Sequence, residues 1–293
     1  MIMTNAQKSS FTQKIPSKIQ SKQNEAAMSL LQRISGDETD KFLKRFLQNP
    51  EQIDDIASEI SDAGPLEALR KLRRTSNIMV SGRIEADYAY VGLPGEAENC
   101  SFDEGFKTFL YPRLGKRAKS FAVLFEHLKE IKNPFIIETG CLRVPNNWEG
   151  DGQSTFQYDW FARDYSGHVI TIDINQDSID SARRACSGTT STILNDSVET
   201  LNMLSETISR SASLLYLDSF DLDVSNPMPS AIHHALELMA ARNLIGPETL
   251  ICVDDFDVPP LGAGGKGLIV DQFMHSIRAE VIYSGYQKIW KMK

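Results

Sequence analysis

Phe135-Ile-Ile-Glu-Thr-Gly-Cys141 runs a short apolar strand into an acidic residue and a glycine. Further along, Val169-Ile-Thr-Ile-Asp173 repeats the pattern and ends on an aspartate. A strand closed by a glycine turn, then a helix, then a second strand ending in a carboxylate is the unit that holds a nucleoside. The turn lets backbone approach the ligand, and the carboxylate accepts hydrogen bonds from the ribose hydroxyls. The expected ligand is therefore an adenosine-containing small molecule.

From Pro134 onward, strand and helix patterns alternate. Strands are predicted at Phe135 to Glu138, Val169 to Asp173, Ser191 to Leu194, Ser213 to Asp218, Leu250 to Asp254 and Glu280 to Tyr283. This pattern predicts an α/β fold with a doubly wound, mostly parallel sheet. The last apolar segments, Ala279 to Tyr283 and Gln287 to Trp290, are separated only by Ser284-Gly285-Tyr286. That is too short for a helical crossover, so they are expected to form an antiparallel hairpin that completes a seven-stranded sheet.

Three regions are expected: a flexible tail over 1–23, a helical N-terminal region over 24–131, and the α/β domain over 132–293. The tail is rich in Ser, Gln and Lys and holds no acidic residue. Apolar residues recur at helical spacing from Asn24 to Ser76, as a lid, as a homodimer surface or as padding over the sheet. Gly82 to Glu104 reads as a loop that reaches toward the ligand, and Ala118 to Ile131 as an amphipathic helix.

The composition restricts the partners. A net charge of -8 disfavours nucleic acid, and no apolar run approaches the roughly 18 residues of a membrane span. The expectation is a cytoplasmic protein with a small-molecule partner, no nucleic acid and no membrane. Cys100, Cys141, Cys186 and Cys252 form no CxxC pair and read as small core residues.

The first turn is not a GxGxxG. After Gly140 the chain runs through Cys141 to Glu149 before Gly150-Asp-Gly152-Gln-Ser154-Thr155 leads into the helical pattern. A long turn with Glu138 in it is a poor cradle for pyrophosphate but suits a cation or an amine. S-adenosylmethionine (SAM) offers both, a sulfonium and an α-amino group. Ser154 and Thr155 stand either as helix caps or as cofactor contacts. Asp173 ends the second strand, where the ribose is expected. Asn195-Asp196-Ser197 ends the third, where the adenine edge would come, although either acid could instead cap its following helix.

The series Glu138-Thr-Gly140, Gly152-Gln-Ser154, Asp173, Asp196-Ser197, Leu214-Leu-Tyr-Leu-Asp218 and Asp254-Asp255-Phe256 resembles the class I SAM-dependent methyltransferases. It is most similar to the metal-assisted O-methyltransferases of the macrocin sugar type. A parallel sheet closed by an antiparallel last strand is also what separates that architecture from the dehydrogenases. The resemblance covers Pro134 to the C-terminus. It implies that Glu138 and Gly140 approach the methionine portion, Asp173 the ribose, and Asp196 with Ser197 the adenine. The segment between Gly140 and Gly152, with Trp148 in it, is longer than the family pattern.

A sugar hydroxyl is a weak nucleophile, and a divalent metal that binds its oxygen lowers its pKa. Carboxylates select Mg²⁺ as that metal. Asp218, Asp254 and Asp255 lie at the carboxyl ends of the fourth and fifth strands, and the resemblance implies that they hold the metal. Here Asp218-Ser-Phe-Asp221 spaces the strand-four acids differently from the family, which leaves the choice between Asp218, the favoured ligand, and Asp221. His233 is either the base that takes the hydroxyl proton or an ordinary helix residue. Gly262-Ala-Gly-Gly265-Lys266-Gly267 lacks the Ser or Thr of a phosphate loop and reads as a mobile loop over the acceptor, with Lys266 free for substrate. The expected activity is metal-assisted O-methylation of a hydroxylated small molecule, a sugar or a glycosylated metabolite. The competing readings are a metal-free methyltransferase with a His or Asp base, a Rossmann oxidoreductase, and a non-catalytic scaffold.

Overall fold

A computed structural model describes residues 85–293. The tail 1–23 and the helical run Asn24 to Ser76, with its proposed lid or dimer role, lie outside the described residues. The predicted strands form β1 (Phe135–Thr139), β2 (His168–Asp173), β3 (Thr190–Leu194), β4 (Leu214–Leu217), β5 (Leu250–Val253), β6 (Glu280–Ser284) and β7 (Lys288–Lys291). They make one seven-stranded sheet in the order β3-β2-β1-β4-β5-β7-β6. Strands β1 to β5 run parallel, and β7 is antiparallel to both β5 and β6. The expected hairpin is therefore present, and its second arm enters the sheet between β5 and β6.

Helices α1 (Ala118–Leu128), α2 (Ser154–Asp164), α3 (Gln176–Ala185), α4 (Ser197–Thr207), α5 (Met228–Ala240) and α6 (Leu268–Ser276) supply side chains to the sheet's two apolar layers. Because both faces are covered, the strands are near-continuous apolar runs, and alternate residues enter different cores. On β4, Leu214 and Tyr216 join a core with Phe121, Phe125 and Phe161. Leu215 and Leu217 join one with Leu204, Leu238 and Met274. Cys141, Cys186 and Cys252 are buried as small core residues, and all four cysteines are free.

The order fixes the ligand edge. The chain leaves β1 toward β2 and β3, then returns to lay β4 on the other side of β1. At such a switch point the loops diverge and open a crevice at the carboxyl ends of the strands. The described part of the expected Gly82 to Glu104 loop is more ordered than its composition suggests. Tyr88, Val91 and Leu93 are buried, and Ser101 and Glu104 form a reciprocal capping box.

Candidate active site

A cleft of about 550 Å³, counted to its open mouth, lies at that crevice between Gly140, Ser154, Asp173, Asp218 and Asp254. Gly140 adopts φ +76, and a Cβ there would stand 2.6 Å from the Asp218 carbonyl oxygen. Only glycine allows β1 to turn this close to the β4 end. Asp173 closes β2 at the cleft, where its Oδ2 accepts from the Cys141 amide at 3.1 Å and its Oδ1 from the Asn175 amide at 2.7 Å. Five aspartates and two arginines line the space, so its charge favours a cation.

Glu138 does not line this cleft. It is fully buried, and its carboxylate accepts from Ser154 Oγ at 2.6 Å, Thr155 Oγ1 at 2.7 Å and Thr171 Oγ1 at 2.6 Å. Burial pushes its carboxyl up to about 7, against those three hydroxyl bonds. Neither Ser154 nor Thr155 is the helix cap: Gln153 holds that position, with φ 50 and no side-chain cap bond. Instead, the two hydroxyls tie the start of α2 to β1. Thr155 Oγ1 also receives the Leu142 amide at 2.9 Å, which shapes the turn after Gly140.

The three predicted acids converge: Asp218, Asp254 and Asp255 each offer an oxygen within 4.8 Å of the others. Asp221 is elsewhere, exposed and paired with Arg143 at 2.6 Å, so the strand-four acid of the cluster is Asp218. The cluster already contains two cations. Arg117 forks onto Asp254, with Nε at 3.0 Å from Oδ1 and Nη2 at 2.7 Å from Oδ2. Lys266 Nζ bonds Asp218 Oδ1 and stands 3.2 Å from Asp255 Oδ2. The side chains of Arg117 and Lys266 are only 4% and 1% exposed. Gln287 donates to Asp254 Oδ1 at 2.7 Å, and the Tyr286 phenol donates to Asp255 Oδ1.

Electrostatics follow from these contacts. Burial pushes Asp218 up to about 8, with the Lys266 ammonium opposing and the Asp254 and Asp255 carboxylates reinforcing. Burial also works against the ionisation of Asp255, but the Lys266 ammonium and the Tyr286 hydrogen bond outweigh it and hold that carboxyl low. For Lys266, burial disfavours the charge, and the three aspartates more than compensate, so it stays protonated.

Three hard oxygen donors are the right chemistry for Mg²⁺. The expected metal nevertheless does not fit this arrangement, because the carboxylates are already engaged by an ammonium and a guanidinium. An ion drawn to these oxygens would meet the Lys266 ammonium on Asp218 and Asp255 and the Arg117 guanidinium on Asp254, two positive charges already held by the same carboxylates. Lys266 would have to leave its buried position first.

His233 also departs from the expected base. It is not among the cleft-lining residues. Its Nε2 lies 3.1 Å from Ser197 Oγ and 3.4 Å from Glu237 Oε1, and the Glu237 hydrogen bond raises its pKa. Glu237 in turn accepts from Ser219 Oγ at 2.6 Å, so His233 braces the loop that follows β4. Asp196 caps α4 by accepting the Glu199 amide at 2.8 Å, and neither Asp196 nor Ser197 lines the cleft.

Three residues of the site had no signal in the sequence. Arg117 sits in a basic run before α1 that looks like any solvated helix start, and its partner Asp254 lies 137 positions away. Tyr286 lies in the hairpin connection and Gln287 opens the apolar segment after it, where the pattern marks a turn and a strand and nothing more. The long segment after Gly140 closes on itself and on its neighbours. Arg117 Nη1 donates to the Glu149 and Gly150 carbonyls at 2.9 and 3.0 Å, and buried Trp148 donates to the Val91 carbonyl at 2.8 Å.

No family model and no curated protein matches the chain. Among solved structures it is similar to the MycE methyltransferase of the mycinamycin biosynthetic pathway, in complex with Mg, SAH and mycinamycin VI. That match has 13% identity and a TM-score of 0.43, and covers 84% of this chain and 62% of that one. It is also similar to SAH-bound PaMTH1 from Podospora anserina, at 17% identity and TM-score 0.43 over 69% of this chain and 89% of that one. A third, the calicheamicin methyltransferase CalS11, has 12% identity and a TM-score of 0.42 over 73% of this chain and 99% of that one. The matched part spans less than two thirds of the MycE chain.

Proposed function

We propose that the chain is a SAM-dependent methyltransferase that acts on a hydroxyl of a small molecule. The observation that carries this reading is the acid-lined cleft at the β1/β4 switch point, with the Asp173 carboxylate at the end of β2, where a ribose is expected. A dinucleotide would bring its pyrophosphate to the start of α2, where Ser154 and Thr155 are already turned onto Glu138. SAM brings a sulfonium and an ammonium instead, and supplies the methyl group as an electrophile.

In this reading Asp173 holds the ribose, and backbone at Gly140 approaches the methionine end. Adenine lies toward the β3 end, near Asp196. Glu138 acts indirectly, by fixing Ser154 and the turn. Transfer forms an oxygen–carbon bond as the carbon–sulfur bond breaks, and the electron pair stays on sulfur. The hydroxyl proton goes to Asp218, whose raised basicity suits a general base near neutral pH. The expected Mg²⁺ has no step here. A sugar or glycosylated metabolite fits as acceptor because a polar, charged cleft must be matched by hydrogen-bonding groups.

Asp218→Asn tests the assignment of the base. On an acceptor that the wild type methylates, kcat should fall by about 10²- to 10⁴-fold while affinity for S-adenosylhomocysteine changes little. A fully active Asp218→Asn variant would remove Asp218 from the chemistry.

A further inference from the structure

We propose that Lys266 is the resident cation of this site and takes the place of a divalent ion among Asp218, Asp254 and Asp255, so that methyl transfer here needs no metal. The inference rests on the reading of the cleft as a methyl-transfer site, but its evidence is the construction of the loop that delivers the lysine.

That loop is held by backbone contacts. Asp257–Val258 and Gly262–Ala263 pair as a small antiparallel ladder directly after the two acids. The Gly264 amide then donates to the Phe256 carbonyl at 2.9 Å, and the Lys266 amide to the Asp255 carbonyl at 3.2 Å. Gly265 has φ +41, and a Cβ on it would stand 1.9 Å from that same Asp255 oxygen. A Cβ on Gly267 would stand 2.7 Å from the Phe256 ring. The glycines are thus the condition for laying this segment against the β5 end, and the one long side chain among them is driven inward. Asp255 itself turns to φ 48 to present its carbonyl.

The charge pattern agrees. An isolated acidic triad at a buried edge is unstable without a cation, and an isolated buried lysine is equally so. Here each satisfies the other. Lys266 Nζ bridges Asp218 and Asp255, while Arg117 takes both oxygens of Asp254. Lys266 is not among the cleft-lining residues, so it acts through Asp218 as a positioning residue, fixing one carboxylate oxygen and leaving the other for the acceptor proton.

The test uses Mn²⁺ as probe and electron paramagnetic resonance as readout, on metal-stripped full-length protein. Wild type should leave the free-ion signal intact at millimolar Mn²⁺. A stoichiometric loss of signal that Asp255→Asn abolishes would overturn the proposal. Lys266→Met should bind Mn²⁺ at least about tenfold more tightly than wild type, whereas Lys266→Arg, which keeps the charge, should not. A folded Lys266→Met variant that gains no Mn²⁺ affinity would also overturn it, and if that variant does not fold, the wild-type titration decides alone. Calorimetry with S-adenosylhomocysteine on the same samples separates the two readings. Absence of binding would refute the methyl-transfer assignment and leave the cation assignment to the Mn²⁺ result.

Discussion

At the residue scale, the site is governed by which charges are compensated and by what. Glu138 and Asp218 were both legible in the sequence as carboxylates at strand ends, yet their surroundings were not. The sequence places Glu138 beside the turn, but only the fold shows three hydroxyls closing over it. This has a measurable consequence. Burial raises the carboxyl from 4.5 to about 7 in the folded protein, so the folded state holds the proton more tightly than the unfolded chain. The resulting stability is fully present below about pH 4.5 and is lost as the pH rises through about 7, a total of about 3 kcal/mol. Glu138→Gln is neutral throughout. Its stability relative to wild type, from urea midpoints, should therefore improve by about 3 kcal/mol between about pH 4.5 and pH 8. A difference that does not change with pH would contradict the burial account. The sequence predicts Lys266 as a free substrate contact. Its burial is invisible there, because the partners that neutralise it come from the ends of two strands and the lysine itself from a third segment.

At the element scale, the glycine-rich stretch after β5, which its composition predicts as a mobile cover, packs its backbone against the edge. The stretch was legible as irregular, but its rigidity depends on close backbone contacts that composition does not encode. Two glycines give opposite expectations. Gly262, at φ +78, has open space around it, so Gly262→Ala should cost only the left-handed penalty of about 1 kcal/mol. Gly265→Ala adds a collision with the Asp255 carbonyl and should cost at least about 3 kcal/mol, read as a lower unfolding midpoint. Equal losses would mean that the loop is as loose as its composition suggests. The segment between Gly140 and Gly152 follows the same logic. Its length departs from the resembling family, and the fold accounts for it as a closure held by Arg117 and Trp148.

At the scale of the whole molecule, the sheet was almost fully readable. Each strand is an apolar run bounded by turn residues, and buried parallel strands leave that imprint whatever packs on them. The short Ser284-Gly285-Tyr286 connection forced the antiparallel hairpin, although not its insertion beside β5. The carboxyl edge was readable too, since the acids mark it. The order in which side chains meet across that edge was not, because Arg117 arrives from outside the alternating pattern. Among the described residues no helix is long and apolar enough to cross a membrane.

SAM binding in the cleft at the β1/β4 switch point, held through Asp173, is the proposal on which the rest depends. Titration calorimetry with S-adenosylhomocysteine on metal-stripped protein tests it most directly. Saturable binding is expected without added metal, weakened at least about tenfold by Asp173→Ala, with no comparable heat from NAD(P). Binding of NAD(P) in place of S-adenosylhomocysteine, or an affinity that Asp173→Ala leaves unchanged, would contradict it.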